Sequence, residues 1–467
     1  MARKLFGTDG IRGVAGEFPL DPRTAHAVGA ALGIRIRDGA GNSEVVMGTP
    51  PQVVMGTPLQ VVLGTDTRES GPWLAANLAA GLRSQGVGVR FAGVTATPGV
   101  AYLAKTGNFS AGVMISASHN PYQDNGIKIL GHSGYKLPDI EEEQLETEIF
   151  RLLESGLQPQ TETLAVDEGL DQAYVEHLAA TLPNGVTGLR MVADCANGSV
   201  SNLAPALLSR LGAKVSAIGA SPDGRNINLN CGSLHLEKLQ ETVLKEAADL
   251  GVAYDGDADR ALLVSHSGRV VDGDAILYIV AKFLKDRGRL PVPVVVATVM
   301  SNLGLEQALG RRGIQMVRTP VGDKYVLEEM LKLNASVGGE QSGHVIFRDY
   351  ATTGDGMLTT LRVLEVMLET GLNLDDLVQD LHIFPQLLVN IRVTSRKPIE
   401  DMPSVVSGIQ AAEHAFGAEG RVLVRFSGTE PLARVMVEGR DQQRVQFFAT
   451  DIAARIKSEL GADSSVT

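Results

Sequence analysis

Short apolar runs punctuate this chain, and most end in a polar loop. Val61–Leu63, Val113–Ile115, Met191–Ala193, Gly251–Tyr254 and Val292–Ala297 are too short for buried helices and read as buried strands. Between them apolar residues fall at helical spacing, as from Asp21 to about Asp38 and, in an acidic stretch, over 139–154. Strands alternating with helices predict βαβ units and a mostly parallel sheet, which presents ligands at its strand ends. The last stretch breaks the alternation. It reads strand (Leu387–Val393), helix (about 403–416), strand (Arg421–Phe426), strand (Ala433–Glu438), helix (Gln442–Leu460), an α+β order. The expected domains are 1-158, 170-270, 271-384 and 387-462, with a loop-like segment over 155–169.

Residues 45–68 carry V-V-M-G-T-P-P-Q, V-V-M-G-T-P-L-Q and V-V-L-G-T-D-T-R, near-copies at a period of eight. Three copies are too few, and too rich in proline, for a solenoid. The third copy runs into Asp66-Thr67-Arg68-Glu69-Ser70-Gly71 and a helical stretch, so it is read as the strand. The first two read as a duplicated surface excursion.

Chemistry gathers where the runs end. After Val113–Ile115 come Ser116-Ala117-Ser118-His119-Asn120-Pro121, a turn, and a second turn at Asp124-Asn125-Gly126. Ser118 thus sits on a strand-end loop with His119 beside it and Lys128 on the next apolar run; the same residues also suit a plain capped turn. Near the N-terminus, F-G-T-D-G-I-R-G makes a polar loop from which Arg12 could reach a phosphate. After Gly251–Tyr254 comes Asp255-Gly256-Asp257-Ala258-Asp259-Arg260. Three carboxylates at alternating positions of one loop converge on a hard divalent cation and leave room for an outside oxygen. An EF-hand needs Gly and Glu where Arg260 and His266 stand. In Gly338-Gly339-Glu340-Gln341-Ser342-Gly343-His344, a carboxylate and a hydroxyl between glycines suit sugar hydroxyls. His344 there is either a base or a structural histidine. Finally, Arg425, Ser427, Gly428, Thr429 and Arg434 lie on the loop joining the last two strands and make a phosphate cradle.

Composition narrows the class. A length of 467 residues suggests roughly three domains. Aromatic residues at 4% and a net charge of −12 argue against nucleic acid as a partner. A small phosphorylated ligand is still allowed, because a local basic pocket fits within an acidic protein. Cys195 and Cys231 are the only cysteines, so no disulfide framework is expected, and Cys195 reads as a packed side chain. No apolar segment follows Arg3 and Lys4, and no apolar run is long enough to span a membrane; a cytoplasmic protein without membrane contact is expected.

Taken together and in order, F-G-T-D-G-I-R-G, S-A-S-H-N-P with D-N-G-I-K, D-G-D-A-D-R, G-E-Q-S-G-H and R-x-S-G-T-E-P-x-x-R-V-M-V-E resemble the α-D-phosphohexomutase superfamily over nearly the whole chain. G-E-Q-S-G-H and S-G-T-E-P look most like its amino-sugar branch; the glucose/mannose branch usually has Met where Gln341 stands. The resemblance implies three doubly wound-like α/β domains with mixed sheets plus a C-terminal α+β domain, in a four-domain, heart-shaped architecture. It implies interconversion of glucosamine 6-phosphate and glucosamine 1-phosphate through a 1,6-bisphosphate, on the route to UDP-N-acetylglucosamine and cell-wall precursors. Ser118 would be the phosphoserine. Asp255, Asp257 and Asp259 would bind one Mg²⁺, with the phosphoseryl oxygen completing the site. Arg260, Glu340, Ser342 and His344 would face the substrate. Arg425, Ser427, Gly428, Thr429 and Arg434 would grip the phosphate not being transferred. His119 and Lys128 are candidates for general acid/base work, with Arg12 beside them. A monomer or homodimer is expected. Phe426 stands where Pro is common, and Thr65 where a basic residue often precedes Asp66; neither removes a group the chemistry needs.

Overall fold

A computed structural model describes residues 5–7, 9–41, 59–426 and 431–461. The chain divides into two compact units, Met1–Val299 with Val317–Val378, and Met300–Met316 with Gln379–Thr467.

The first unit is built around three sheets. Their central strands are the apolar runs: Ala111–Ile115, Leu250–Tyr254 and Val294–Thr298 are buried at every position. Sheets covered by helices on both faces require such runs. The first sheet is ordered Phe6–Gly7, Gly10–Val14, Asp124–Gly131, Ala111–Ile115, Gln60–Thr65, Gly88–Val94. Only Gln60–Thr65 pairs parallel with its neighbours; the other pairings are antiparallel. The expected mostly parallel sheet is therefore mixed, because the loop 116–123 is too short for a crossover and returns the chain antiparallel. The third octad is this sheet's strand Gln60–Thr65, as expected. The other two copies lie outside the described residues, apart from their last two members, Leu59 and Gln60.

Two local readings change. Asp124-Asn125-Gly126 is not a turn but the start of the strand Asp124–Gly131. The reversal comes just before it, where the Asp124 N–H donates to the Pro121 carbonyl at 3.2 Å. Phe6–Gly7 and Gly10–Val14 form a small hairpin rather than a plain polar loop. Its Gly10 has φ +80, and a Cβ there would stand 2.4 Å from the Ile127 carbonyl oxygen, so no side chain fits.

The second sheet runs Val270–Val271, Ala261–Ser265, Leu250–Tyr254, Arg190–Asp194, Lys214–Ile218, parallel over the last three strands. In the third, Val294–Thr298 pairs parallel with Val337–Gly339, which pairs antiparallel with Val345–Phe347. The second unit carries an antiparallel sheet, Gln386–Arg392, Leu432–Gly439, Gly420–Phe426. Helices Pro403–Phe416 and Gln442–Leu460 share one core with it through Ile391, Val405, Val435 and Ile452. No described helix is long and apolar enough to cross a membrane.

Candidate active site

Strand ends of the first unit supply most of the site. Ser118 lies past the end of Ala111–Ile115, Asp255 follows Leu250–Tyr254, and Glu340 follows Val337–Gly339. Ser118 is almost wholly buried and has φ +54, the left-handed region, which costs a non-glycine residue about 1–2 kcal/mol. Its Oγ donates to Asp255 Oδ2 at 2.6 Å and lies 3.3 Å from His119 Nδ1. The Ser118 carbonyl packs so closely on the acidic loop that a Cβ on Gly256 would stand 2.4 Å from it. The D-G-D spacing thus needs its glycine for close approach.

Asp255, Asp257 and Asp259 are all buried and offer carboxylate oxygens within 4.8 Å of one another. Burial, and then Asp259 and Asp257, push the Asp255 pKa well up, because three acids this close resist joint ionisation. Burial also acts against the Asp259 carboxylate, but Lys128 and His344 outweigh it and hold its pKa well below the usual range. Asp257 Oδ1 and Asp259 Oδ1 are buried without a hydrogen-bond donor. Orphaned, convergent carboxylate oxygens fit a bound cation.

Lys128 turns inward from its strand. Its Nζ meets Asp257 Oδ2 at 2.7 Å, Asp9 Oδ2 at 3.1 Å and Asp259 Oδ2 at 3.5 Å. Burial alone would lower its pKa; these carboxylates overcome that and raise it well above the lysine range. Lys128 is therefore a permanent cation at neutral pH. His119 is the opposite case. Burial, then Arg260 and Arg12, lower its pKa to about 4, so it is a neutral imidazole beside the Ser118 hydroxyl. Arg12 ion-pairs with Asp9 and donates to the Ala117 carbonyl at 3.3 Å, tying the N-terminal hairpin to the serine loop.

Lys136, Asp9 and Asp323, none assigned a role from sequence, complete a ring of alternating charge. Lys136 Nζ bridges Asp9 Oδ1 at 2.5 Å and Asp323 Oδ2 at 2.6 Å. His344 lies 3.7 Å from that Asp323 oxygen and 3.6 Å from Asp259 Oδ1. His344 is thus part of the site, although its Nε2 accepts the Gly354 N–H at 3.0 Å and so keeps a lone pair there. Arg260 Nε stands 3.9 Å from Asp255 and 3.8 Å from Asp259, buried without a hydrogen-bond partner. Glu340 Oε1 accepts the Gly322 N–H at 3.1 Å, and the buried Ser342 hydroxyl has no partner. Gln341 points elsewhere: its amide donates to Asp272 Oδ2 at 3.1 Å, and Asp272 caps the helix Gly273–Asp286.

In the second unit, Arg425 and Arg434 face each other directly across the strand pair. Like charges in that register repel. Burial and then Arg434 lower the Arg425 pKa, so the pair suits an anion. Ser427, Gly428 and Thr429 lie outside the described residues. Cys195 is buried, as expected.

Models of the phosphoglucomutase/phosphomannomutase domains match in order: alpha/beta/alpha domain I at 3–49 and 53–155, domain II at 172–268, domain III at 272–383 and the C-terminal domain at 388–455. The phosphoglucosamine mutase of Solibacter usitatus (strain Ellin6076) is 56% identical over 461 residues, covering 99% of this chain and 100% of the relative. That of Koribacter versatilis (strain Ellin345) is 47% identical, covering 98% of each chain. Among solved structures, a phosphoglucomutase/phosphomannomutase family protein from Burkholderia thailandensis superposes with TM-score 0.78 at 23% identity, covering 98% of both chains. The N-acetylphosphoglucosamine mutase of Aspergillus fumigatus, solved with GlcNAc-6P and magnesium, superposes with TM-score 0.66 at 19% identity over 94% of this chain and 97% of that one. These two likenesses show the shared fold. The full-length identity to curated relatives shows more: the chain belongs to the phosphoglucomutase/phosphomannomutase family, in its phosphoglucosamine mutase branch.

Proposed function

We propose that this chain interconverts glucosamine 6-phosphate and glucosamine 1-phosphate, with Ser118 as the phosphoryl carrier and glucosamine 1,6-bisphosphate as the intermediate. The observation that carries this is the Ser118 hydroxyl 2.6 Å from a buried carboxylate of the Asp255, Asp257, Asp259 group. A serine hydroxyl is a weak nucleophile unaided, and a stored phosphoserine avoids that difficulty. The phosphoryl group leaves Ser118 Oγ for one sugar hydroxyl. The P–Oγ bond breaks, a P–O bond to the sugar forms, and the proton lost by the sugar hydroxyl is balanced by the one that restores the Ser118 hydroxyl. After the bisphosphate turns over, the other phosphate returns to Ser118.

The three aspartates would hold Mg²⁺, which supplies neutralisation of charge on the transferring phosphoryl group. His119, neutral and beside Oγ, is placed to exchange the serine proton. Lys128 acts as a fixed charge. Glu340 and Ser342 hold sugar hydroxyls, with Arg260 and His344 beside them. Arg425 and Arg434, with Ser427, Gly428 and Thr429, grip the phosphate that is not being transferred. We place the enzyme in the cytoplasm.

The test is incubation with glucose 1,6-bisphosphate and Mg²⁺ followed by peptide mass spectrometry. One phosphate on Ser118, lost together with turnover in Ser118→Ala, supports the reading. Wild-type turnover by Ser118→Ala refutes it.

A further inference from the structure

Both backbone polar groups of Ser118 are held by one buried network that carries no assigned role. Asp66 and Arg68, just past the end of Gln60–Thr65, form an ion pair at 2.9 Å with both side chains fully buried. Asp66 Oδ2 also accepts the Ser116 hydroxyl at 2.7 Å, and Ser116 Oγ in turn accepts the Ser118 N–H at 2.9 Å. On the other side of the same residue, Arg68 Nη2 donates to the Ser118 carbonyl at 3.0 Å and to the Asn120 carbonyl at 2.8 Å. Its Nη1 reaches the Pro121 carbonyl. From the second sheet's side, Asn228 Nδ2 donates to the Ser118 carbonyl at 2.9 Å and the Asn120 carbonyl at 3.1 Å.

A buried ion pair is a weak source of stability, and one so placed can often be exchanged for apolar residues without loss. What this one does is local. Its donors converge on the carbonyls of Ser118, Asn120 and Pro121, and the Ser116 relay fixes the intervening N–H. Only a planar, forked cation can serve three such acceptors while also binding Asp66 through Nε. The residue so held is the one in the left-handed conformation, whose hydroxyl faces the metal-binding group.

We propose that Asp66, Arg68 and Ser116 are positioning residues that hold the Ser118 peptide so that Oγ, and the phosphoryl group it carries, is aimed at the acidic loop. The proposal rests on Ser118 being the phosphoryl carrier. The network governs the rate of phosphoryl transfer and leaves sugar-phosphate binding alone, because its hydrogen bonds run among its own members and to the backbone of Ser118, Asn120 and Pro121. Misplacement of a reacting group by about 1 Å costs about a hundredfold in rate.

The experiment compares full-length wild type, Ser116→Ala and Arg68→Lys with Mg²⁺ and glucosamine 6-phosphate. It also follows the rate at which glucose 1,6-bisphosphate phosphorylates Ser118. Ser116→Ala is expected to lower kcat about tenfold and Arg68→Lys about a hundredfold. KM should stay within about twofold, and the phosphorylation rate should fall in step with kcat. Ser116→Ala carries the test if Arg68→Lys does not fold, since it removes one hydroxyl and leaves the ion pair in place. Wild-type kcat in a folded Ser116→Ala, or a raised KM at unchanged kcat, overturns the positioning role while Ser118 remains the carrier. If wild-type Ser118 accepts no phosphate at all, the carrier reading fails first and this proposal falls with it.

Discussion

Replacing Lys128 by methionine should weaken the fold and strengthen metal binding together. The ammonium is 1% exposed and stands 2.7, 3.1 and 3.5 Å from Asp257, Asp9 and Asp259. Methionine fills the same channel without charge. Each carboxylate keeps another partner: Thr97 at 2.6 Å for Asp257, Lys136 at 2.5 Å for Asp9, and His344 at 3.6 Å for Asp259. The loss is therefore smaller than for a carboxylate stripped bare, and we place it at the lower end of the 3–5 kcal/mol for a broken buried pair, about 3 kcal/mol. A divalent ion at the three aspartates gains by the same removal. Two unit charges 4 Å apart interact by about 4 kcal/mol at an effective dielectric of 20. Allowing for relaxation, Mg²⁺ should bind about ten- to a hundredfold more tightly. Urea unfolding without metal gives the first quantity and calorimetric Mg²⁺ titration the second. Turnover should collapse, since the cation also offsets charge around the phosphoryl group. Unchanged or weaker Mg²⁺ affinity in a folded Lys128→Met would refute the reasoning, because it would mean that Lys128 does not share the metal's electrostatic field.

Saturating Mg²⁺ at a hundredfold over its Kd should stabilise the wild type by about 2.7 kcal/mol, seen as a Tm increase that chelation reverses and Asp257→Asn abolishes. The His119 imidazole, followed by NMR in the unphosphorylated, metal-free protein, should titrate near 4 rather than 6.5. Because the folded value is the lower one, His119 withdraws stability as pH falls from 6.5 towards 4 and changes nothing above 6.5. Asp355 has the opposite sign: burial raises its pKa to about 6 although it caps the helix Gly356–Thr370 and accepts from Tyr174. Its contribution is present below about 3.8 and lost as pH rises through 6. Asp355→Asn keeps a good cap and removes the buried charge, so it should raise stability at pH 7.5 by up to about 3 kcal/mol, with the gain vanishing below pH 4.

The parts of the site legible in the sequence are those whose chemistry is local. Three acids at alternate positions of one loop favour convergence, and a serine at a strand end stands at the edge where α/β sheets present ligands. Lys128 was legible as chemistry but not as a permanent cation, because Asp9 and Asp257 reach it from 119 and 129 residues away. Lys136 and Asp323 carried no signal, since they meet across 187 residues and sit in ordinary surroundings. Arg68 was visible only as part of a polar run before a helix, with nothing to show that its fork closes on a loop 50 residues later. Gln341 marks the amino-sugar branch in the sequence, but nothing there shows that its amide donates to Asp272, 69 residues earlier. A substitution at Gln341 would therefore act on the helix cap before it acted on any sugar. In the fold, the helix–strand alternation was read correctly. The mixed pairing of the first sheet follows from the resemblance but not from that alternation, because it depends on one loop being too short for a crossover.

The most direct test of the central claim is a coupled mutase assay with Mg²⁺ and a trace of hexose 1,6-bisphosphate, comparing kcat/KM for glucosamine, glucose and mannose 6-phosphates in wild type and Ser118→Ala. The wild type should show a clear preference for the amino sugar and the variant no turnover. A preference for glucose or mannose would contradict the assigned substrate, and turnover surviving in Ser118→Ala would contradict the mechanism itself.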